Sequence, residues 1–297
     1  MSAPSESRLG DAGASTPAQD VTPALLKAWG LPEPGGDKKS RGDVAVVGGS
    51  RRTPGGVILA AEATLRVGAG RVGVYAPGTV SVQLGTVLPE AAILTLPEDS
   101  SDPFEPSARD KLAGADAVLV GPGFDDGDET RDTLLAVADT GAQCLVLDAY
   151  ALGVLPQIDR GRLPDDLVLT PNREELALLL EGAPGGREAG DDLASDVREV
   201  ARQYRAVVTC YDTVAGPDGA MWHVGGGGPG LATSGSGDVL SGAVTGFVAR
   251  GAGLARAAVW GTWAHGRAGD RLTDRLGLGF LARELVAELP LAIREIL

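Results

Sequence analysis

Short apolar runs that stop at a glycine, an aspartate or a proline, each followed by a helix-like stretch, recur along most of this chain and leave little choice of fold. DVAVVGGS (43–50) has the pattern of a buried strand entering a glycine turn. GGVILAAEATLRV (55–67) follows with the Ala and Leu content of a helix, and GAGRVGVYAP (68–77) breaks it and starts a second strand. Strand, turn, helix and strand in that order make a βαβ unit, whose crossover is right-handed. The pattern returns in ADAVLVGPGF (115–124), QCLVLDAYAL (143–152) and DLVLTPNREELALLL (166–180), with further helices expected at 130–139 and 194–204. The strand runs are nearly continuous in apolar residues, as strands covered on both faces are.

Residues 206–224 read as a strand pair joined by the turn Pro217-Asp218-Gly219. Helices are expected at 237–249, 255–272 and 278–297, the last interrupted or restarted at Pro290. A short helix at 21–29 has Thr22 as its cap and Pro23 in its first turn. Residues 1–20 read as a disordered tail, being Ser, Ala, Pro, Gly and Asp with few large apolar groups. No linker is long enough to force two domains. The expectation is an α/β fold with one largely parallel sheet covered by helices on both faces, spanning 21–297 as one domain.

Composition narrows the function. The formal charge of −14 repels a nucleic-acid backbone but does not stop a few aligned N–H groups from holding a small phosphate ligand. Two cysteines and two histidines are too few for a disulfide framework or a thiol- or histidine-rich metal site. No stretch resembles a signal sequence or reaches the roughly 20 apolar residues of a membrane span. The default expectation is a cytoplasmic protein without membrane or nucleic-acid partners.

The strongest local signal is Gly235-Ser236-Gly237-Asp238, which passes into an apolar helix. First-turn N–H groups at such a start favour a phosphate. Asp238 beside a bound anion is electrostatically poor unless it handles a proton or organises a nucleophile; the plain alternative is an N-cap. The loop GGSRRTPGG (48–56) sits where α/β sheets carry ligands, but it is neither GxGxxG nor a Walker sequence, and Arg51 and Arg52 read as solvated. Gly123 ends a strand and either passes under a ligand or makes a plain turn. Asn172 has Glu175 three residues on, the spacing of a capping box, and either caps its helix or faces the crevice. Asp148 either touches a metal-bound phosphate or satisfies a loop. His265, Trp260 and Trp263 read as packed, and Cys210 as buried and inert.

Taken in order, KSRGDVAVVGGS, TPGG, RVGAG, LPEA, VGPGF, VLDAYAL, LTPNREEL, LATSGSGDVLSG and WAHGRAGD resemble the ADP-dependent NAD(P)H-hydrate dehydratase family, which has a ribokinase-like fold. The resemblance covers nearly the whole chain beyond the tail. It implies a metabolite-repair lyase that removes water from hydrated NADH or NADPH and turns ADP into AMP and phosphate, with ATP preferred in eukaryotic members. Gly56, Gly123 and Asn172 match positions that contact the hydrated dinucleotide, Gly237 matches a nucleotide contact together with its neighbours Gly235 and Ser236, and Asp238 matches the essential aspartate. The segment Cys210, Tyr211, Asp212, Thr213 and Val214 falls where the family binds the adenine nucleotide. Mg²⁺ is expected because two phosphate-bearing ligands must approach each other; its ligands are not readable. A homo-oligomer, a tetramer in relatives, and a separate epimerase are also implied. The chain departs from the family in having Cys210-Tyr211 for Lys-Gly, Asn172-Arg173 for a frequent His-Pro, and Tyr150 for a smaller or acidic residue. A small-molecule kinase of the same fold and a catalytically degenerate nucleotide binder are the competing readings.

Overall fold

The computed structural model describes residues 17–33, 35–183 and 185–297. The strands are β1 (Gln19–Val21), β2 (Asp43–Val47), β3 (Arg71–Ala76), β4 (Ala92–Thr95), β5 (Ala117–Val120), β6 (Cys144–Leu147), β7 (Asp166–Leu169), β8 (Val207–Cys210), β9 (Thr213–Ala215) and β10 (Met221–Val224). They form one sheet in the order β1-β10-β9-β8-β7-β6-β5-β2-β3-β4. From β4 to β8 every neighbouring pair is parallel; β9 is antiparallel to β8 and to β10.

The strands alternate between two cores, as a period of two requires. Val44 and Val46 of β2 point to one core and Ala45 and Val47 to the other. The first core is closed by α1 (Pro23–Trp29), α2 (Gly55–Arg66), α3 (Gly78–Val87), α9 (Ser236–Ala249), α10 (Leu254–Leu276) and α11 (Ala282–Arg294). The second is closed by α4 (Pro106–Ala113), α5 (Gly127–Ala138), α6 (Tyr150–Val154), α7 (Arg173–Gly182) and α8 (Leu193–Gln203). Both faces are therefore covered, as expected of a parallel sheet.

Several details differ from the sequence reading. Gln19 and Asp20, expected in the tail, pair with Trp222 and His223 in β1; residues 1–16 of that tail lie outside the described residues. The expected strand pair at 206–224 is three strands, because Tyr211 and Asp212 make a second turn before the Pro217-Asp218-Gly219 turn. Helix α3 has the sequence GTVSVQLGTV, rich in Gly and β-branched residues, and packing rather than propensity makes it helical. Helix α11 runs through Pro290, with no break at the position where one was expected. Thr22 does cap α1, its Oγ1 accepting from the Leu25 N–H at 3.2 Å.

Helix α9 lies close against α2 because both present small residues. A Cβ on Gly242 would fall 2.2 Å from the Ala60 carbonyl oxygen, so only glycine fits there. Thr64 Oγ1 donates to the Ala60 and Gly242 carbonyls at 2.9 and 3.0 Å and ties the pair together. That contact sets where the α9 N-terminus ends up.

Helices α10 and α11 are joined by charge. Glu288, 4% exposed, accepts from Arg271 at 2.8 Å and Arg275 at 2.7 Å, and Glu295 accepts from Arg267 and Arg271 at 2.6 Å each. Burial pushes the Glu288 carboxyl up, but hydrogen bonds from the two arginines outweigh it and hold it below the ordinary value. Glu288→Ala is expected to cost about 2 kcal/mol in denaturant unfolding. Its ionised form is the stabilising one, so the contribution is present above the usual carboxylate pKa and fades as pH falls below it. A wild-type midpoint in the variant at pH 7 would show that the ladder is merely decorative.

Candidate active site

The connection order places β3 and β4 on one side of β2 and β5 on the other. That reversal opens a crevice between the ends of β2 and β5, where α/β sheets bind ligands. The two strand-end loops are stitched together. The Gly49 N–H donates to the Pro122 carbonyl at 2.8 Å, and Thr53 Oγ1 donates to the Gly123 carbonyl at 2.8 Å. Ser50 Oγ lies 2.8 Å from Thr53 Oγ1 and accepts from the N–H groups of Arg52 and Thr53. Arg52 pairs with Asp125 at 2.8 Å while its side chain stays mostly in solvent.

Gly123 has φ +74°, and a Cβ there would lie 2.4 Å from the Thr53 carbonyl oxygen. A Cβ on Gly56, in the first turn of α2, would lie 2.8 Å from the Gly123 N and 3.0 Å from Asp238 Oδ1. Three widely separated positions, Gly56, Gly123 and Asp238, thus meet at one point.

At α9 the N-cap is Gly235 in a left-handed conformation, with no side chain capping the helix. Asp238 is the third helical residue, so the plain N-cap reading of it does not hold. The first-turn donors of a helix have no partner within the helix. Nothing lies within 4 Å of where a Gly237 Cβ would stand, so this turn faces open space. Ser236 is buried and its Oγ is 2.9 Å from His265 Nε2 of α10. Burial pushes the His265 imidazole down to about 4, so at neutral pH it is an uncharged hydrogen-bond partner that holds the turn from beneath. Trp260 and Trp263 are core residues, 5.9 Å apart edge to face.

Asp148 follows β6, is buried, and accepts from Thr170 Oγ1 at 2.8 Å. Burial raises its pKa against hydrogen bonds from Ser241, Thr170 and the Ala149 N–H. Asn172 Oδ1 accepts from the N–H groups of Glu174 and Glu175 at 2.8 and 3.0 Å, and Glu175 Oε2 accepts from the Asn172 N–H at 2.9 Å. This capping box leaves Asn172 exposed at the start of α7. Burial lifts the Glu175 carboxyl to about 7; the Asn172 N–H opposes this, and the charges of Asp148 and Glu174 add to it. Asp238 is also lifted to about 7, by burial first and then by the charges of Asp148 and Glu175. The charges of Asp148 and Glu175, from two other chain segments, thus act on Asp238. Sequence reasoning saw Glu175 only as a capping partner; nothing in the spacing shows that it faces Asp238.

The segment 210–214 is less available than expected. The side chains of Cys210, Thr213 and Val214 are buried, and burial pushes the Cys210 thiol up to about 12. Only Tyr211 and Asp212, in the turn between β8 and β9, present side chains outward. Cys144 and Cys210 are both free thiols.

With this geometry in place, the comparisons with known proteins are decisive. A sequence model of the NAD(P)H-hydrate dehydratase family matches residues 44–291. The chain belongs to that family. It is 42% identical over 277 residues to an ADP-dependent (S)-NAD(P)H-hydrate dehydratase of Xanthomonas campestris, covering 91% of this chain and 94% of that one. It is 33% identical to the bifunctional NAD(P)H-hydrate repair enzyme Nnr of Moorella thermoacetica, but spans only 54% of that protein's length. The ADP/ATP-dependent NAD(P)H-hydrate dehydratase from Bacillus subtilis, co-crystallized with ATP/Mg²⁺, superimposes with a TM-score of 0.79 at 25% identity, over 94% of this chain and 99% of that one. The fold of this family member is accordingly ribokinase-like.

Among the described residues no three His, Cys, Asp or Glu side chains converge as a protein-only metal cage would require. Mg²⁺ needs no such cage: it keeps several waters and takes one or two carboxylates together with substrate phosphates. Asp148 and Glu175 are carboxyls of the chemistry such a site takes, and the charge of Asp148 acts on Glu175. No helix among the described residues is long and apolar enough to cross a membrane.

Proposed function

We propose that this chain dehydrates hydrated NADH or NADPH at the expense of ADP, restoring NAD(P)H and releasing AMP and phosphate. The observation that carries the reading is the meeting of Gly56, Gly123 and Asp238 beside the open N-terminus of α9. Hydroxide is a poor leaving group from the hydrated ring and phosphate is a better one. The reaction therefore needs a base to take the ring hydroxyl proton and a cradle for the phosphoryl group that the oxygen attacks. Asp238 supplies the base. The Ser236 N–H donates to the Thr233 carbonyl, and the N–H groups of Gly237 and Asp238 stabilise charge on the transferring phosphoryl group, as donors aimed at developing charge do. Asp148 and Glu175 would hold Mg²⁺ together with the nucleotide phosphates, and the ion would supply positive charge against those phosphates. As the ring oxygen bonds to the terminal phosphorus the bond to AMP breaks; the phosphorylated intermediate then loses phosphate from one ring carbon and a proton, taken by water, from its neighbour, and the dihydronicotinamide is restored.

Gly56 and Gly123 let the two strand-end loops and Asp238 close on one another as the crevice floor, and Asn172 takes part in binding the hydrated dinucleotide. Gly235, Ser236 and Gly237 shape the phosphate turn. The same reading takes 21–297 as one catalytic domain, cytoplasmic, working as a homo-oligomer on small nucleotides, with epimerisation supplied by a separate protein. The purified protein, given each hydrate with ADP or ATP, should restore the near-ultraviolet absorbance of the dihydronicotinamide. A stable phosphate ester without that recovery would identify a kinase instead, and tight nucleotide binding with no product would identify a binder.

The charge state of Asp238 makes a second prediction. Its carboxylate form is the competent one, and it is held near neutrality. The kcat/KM profile should rise with pH through about 7 and level off above it. A profile already flat from pH 5 upward would remove Asp238 as the base.

A further inference from the structure

Two phosphate-bearing ligands call for positive charge, and the crevice holds little of it. Its strand-end loops and helix starts, at 48–56, 121–126, 148–150, 170–175 and 233–238, carry more carboxyls than cations, and the cations are Arg51, Arg52 and Arg173. Arg173 is engaged elsewhere: its Nη2 donates to the Gly190 carbonyl at 3.4 Å. Arg51 is exposed, and no bond among the described residues orients it. Arg52 is different. Its Nε donates to Asp125 Oδ2 at 2.8 Å, while Nη1 and Nη2 make no bond among the described residues. The Arg52 side chain is 80% exposed and that of Asp125 27%. So exposed a pair adds little to stability. What it does is fix the direction of the guanidinium and leave its two terminal nitrogens open. The base of the side chain is well held. The buried Ser50 hydroxyl accepts from the N–H groups of Arg52 and Thr53, and Thr53 donates to the Gly123 carbonyl, two residues before Asp125. Both ends of the pair thus stand on the loops that carry Gly56 and Gly123. The Tyr150 phenol, from the loop that carries Asp148, also acts on Arg52.

We propose that Arg52, oriented by Asp125, clamps a phosphate group of the hydrated dinucleotide and so helps to select that substrate. The inference rests on the reading of the crevice as the dehydratase site. A guanidinium with both terminal nitrogens free meets two phosphate oxygens at once, which an ammonium does not. NADPH hydrate offers two such groups: the diphosphate that it shares with NADH hydrate, and the 2′-phosphate that it alone carries. The two anionic ligands are then held by different donors, backbone N–H groups at the start of α9 for the ADP phosphates and Arg52 for the dinucleotide.

Calorimetric titration of the intact protein with NADPH, NADH and ADP, each alone, tests this without turnover, the two dinucleotides being unreactive stand-ins for their hydrates. Arg52→Gln should weaken NADPH about tenfold and leave ADP unchanged. An equal loss for NADH supports the clamp and assigns it to the diphosphate; full NADH affinity supports it and assigns it to the 2′-phosphate. NADPH affinity should also fall more steeply with salt in the wild type than in Arg52→Gln, because the contact is an exposed one. Arg51→Gln removes the same charge from a side chain without an anchor and should bind all three like the wild type. Unchanged affinity for both dinucleotides in Arg52→Gln overturns the proposal. So does an equal loss in Arg51→Gln, which would make the effect one of net charge, and so does a matching loss of ADP. If Arg52→Gln melts early, Arg52→Lys keeps the charge and must still bind NADPH more weakly than the wild type. A wild type that binds neither dinucleotide overturns the dehydratase reading as well. Binding without turnover of any hydrate leaves the proposal standing alone, and turnover with Arg52→Gln binding like the wild type leaves the dehydratase reading standing alone.

Discussion

Asp238→Asn should lower kcat by about 10³-fold while leaving the protein folded. The amide keeps the shape and the helix position of the carboxylate but cannot accept the ring hydroxyl proton. The N–H groups of the 235–238 turn are untouched, so ADP should still bind. Stability supplies an independent check. Asp238 is raised to about 7 by burial and by the charges of Asp148 and Glu175. A carboxyl raised in the folded state favours folding below its unfolded value, and that contribution is lost as pH rises through the folded value. At pH 8 the wild type therefore carries an ionised, poorly solvated carboxylate that the variant lacks. Asp238→Asn should melt higher than the wild type at pH 8, and the gap should shrink as pH falls toward 4. Loss of turnover with a raised melting point is the mark of a group kept for chemistry. A variant that loses activity and melts lower across this whole range would make Asp238 a structural residue.

Gly123→Ala should damage both the fold and the activity of the crevice. The added Cβ would sit 2.4 Å from the Thr53 carbonyl oxygen, at a backbone φ of +74° that alanine tolerates poorly. Relief requires moving the loop that carries Thr53 away from Gly123, which breaks the 2.8 Å Thr53–Gly123 hydrogen bond. The expected cost is about 2 kcal/mol in unfolding free energy. Activity should suffer more than stability. The displaced loop leads directly into Gly56, which approaches Asp238 Oδ1, and displacements of about 1 Å near reacting groups cost about 10²-fold. Denaturant melts and kcat/KM on the hydrate, measured side by side, test this. Full activity in the variant would mean that the two loops are not the floor of the site.

The contrast between the two variants separates what each residue is for. On the proposed reading Asp238 is costly to the free protein and serves the chemistry, whereas Gly123 serves both stability and chemistry. His265 belongs with the second kind. Its folded pKa of about 4 means that acidification from about 6.5 toward 4 costs stability, the opposite sign to Asp238.

Local pattern was enough to determine that this chain builds a parallel sheet between helices, because apolar strand runs and glycine turns are properties of neighbouring residues. It also singled out Gly235 to Asp238 as the helix start to be proposed for anion binding, and the ordered motifs carried the family. Tertiary structure alone decided what those pieces face. The strand order, not any spacing, brings the loops after β2 and β5 together. Close packing of Gly242 on Ala60 sets where α9 begins and so where Asp238 meets Gly56. Glu175 reads in the chain as a helix cap, and becomes a charge acting on Asp238 only because α7 and α9 start at the same edge of the sheet. Cys210, Thr213 and Val214 turn inward while Tyr211 turns outward, which the run of letters does not distinguish. The physical reason is common to all four: burial and the field at a charged group depend on distances through space between segments far apart in the chain.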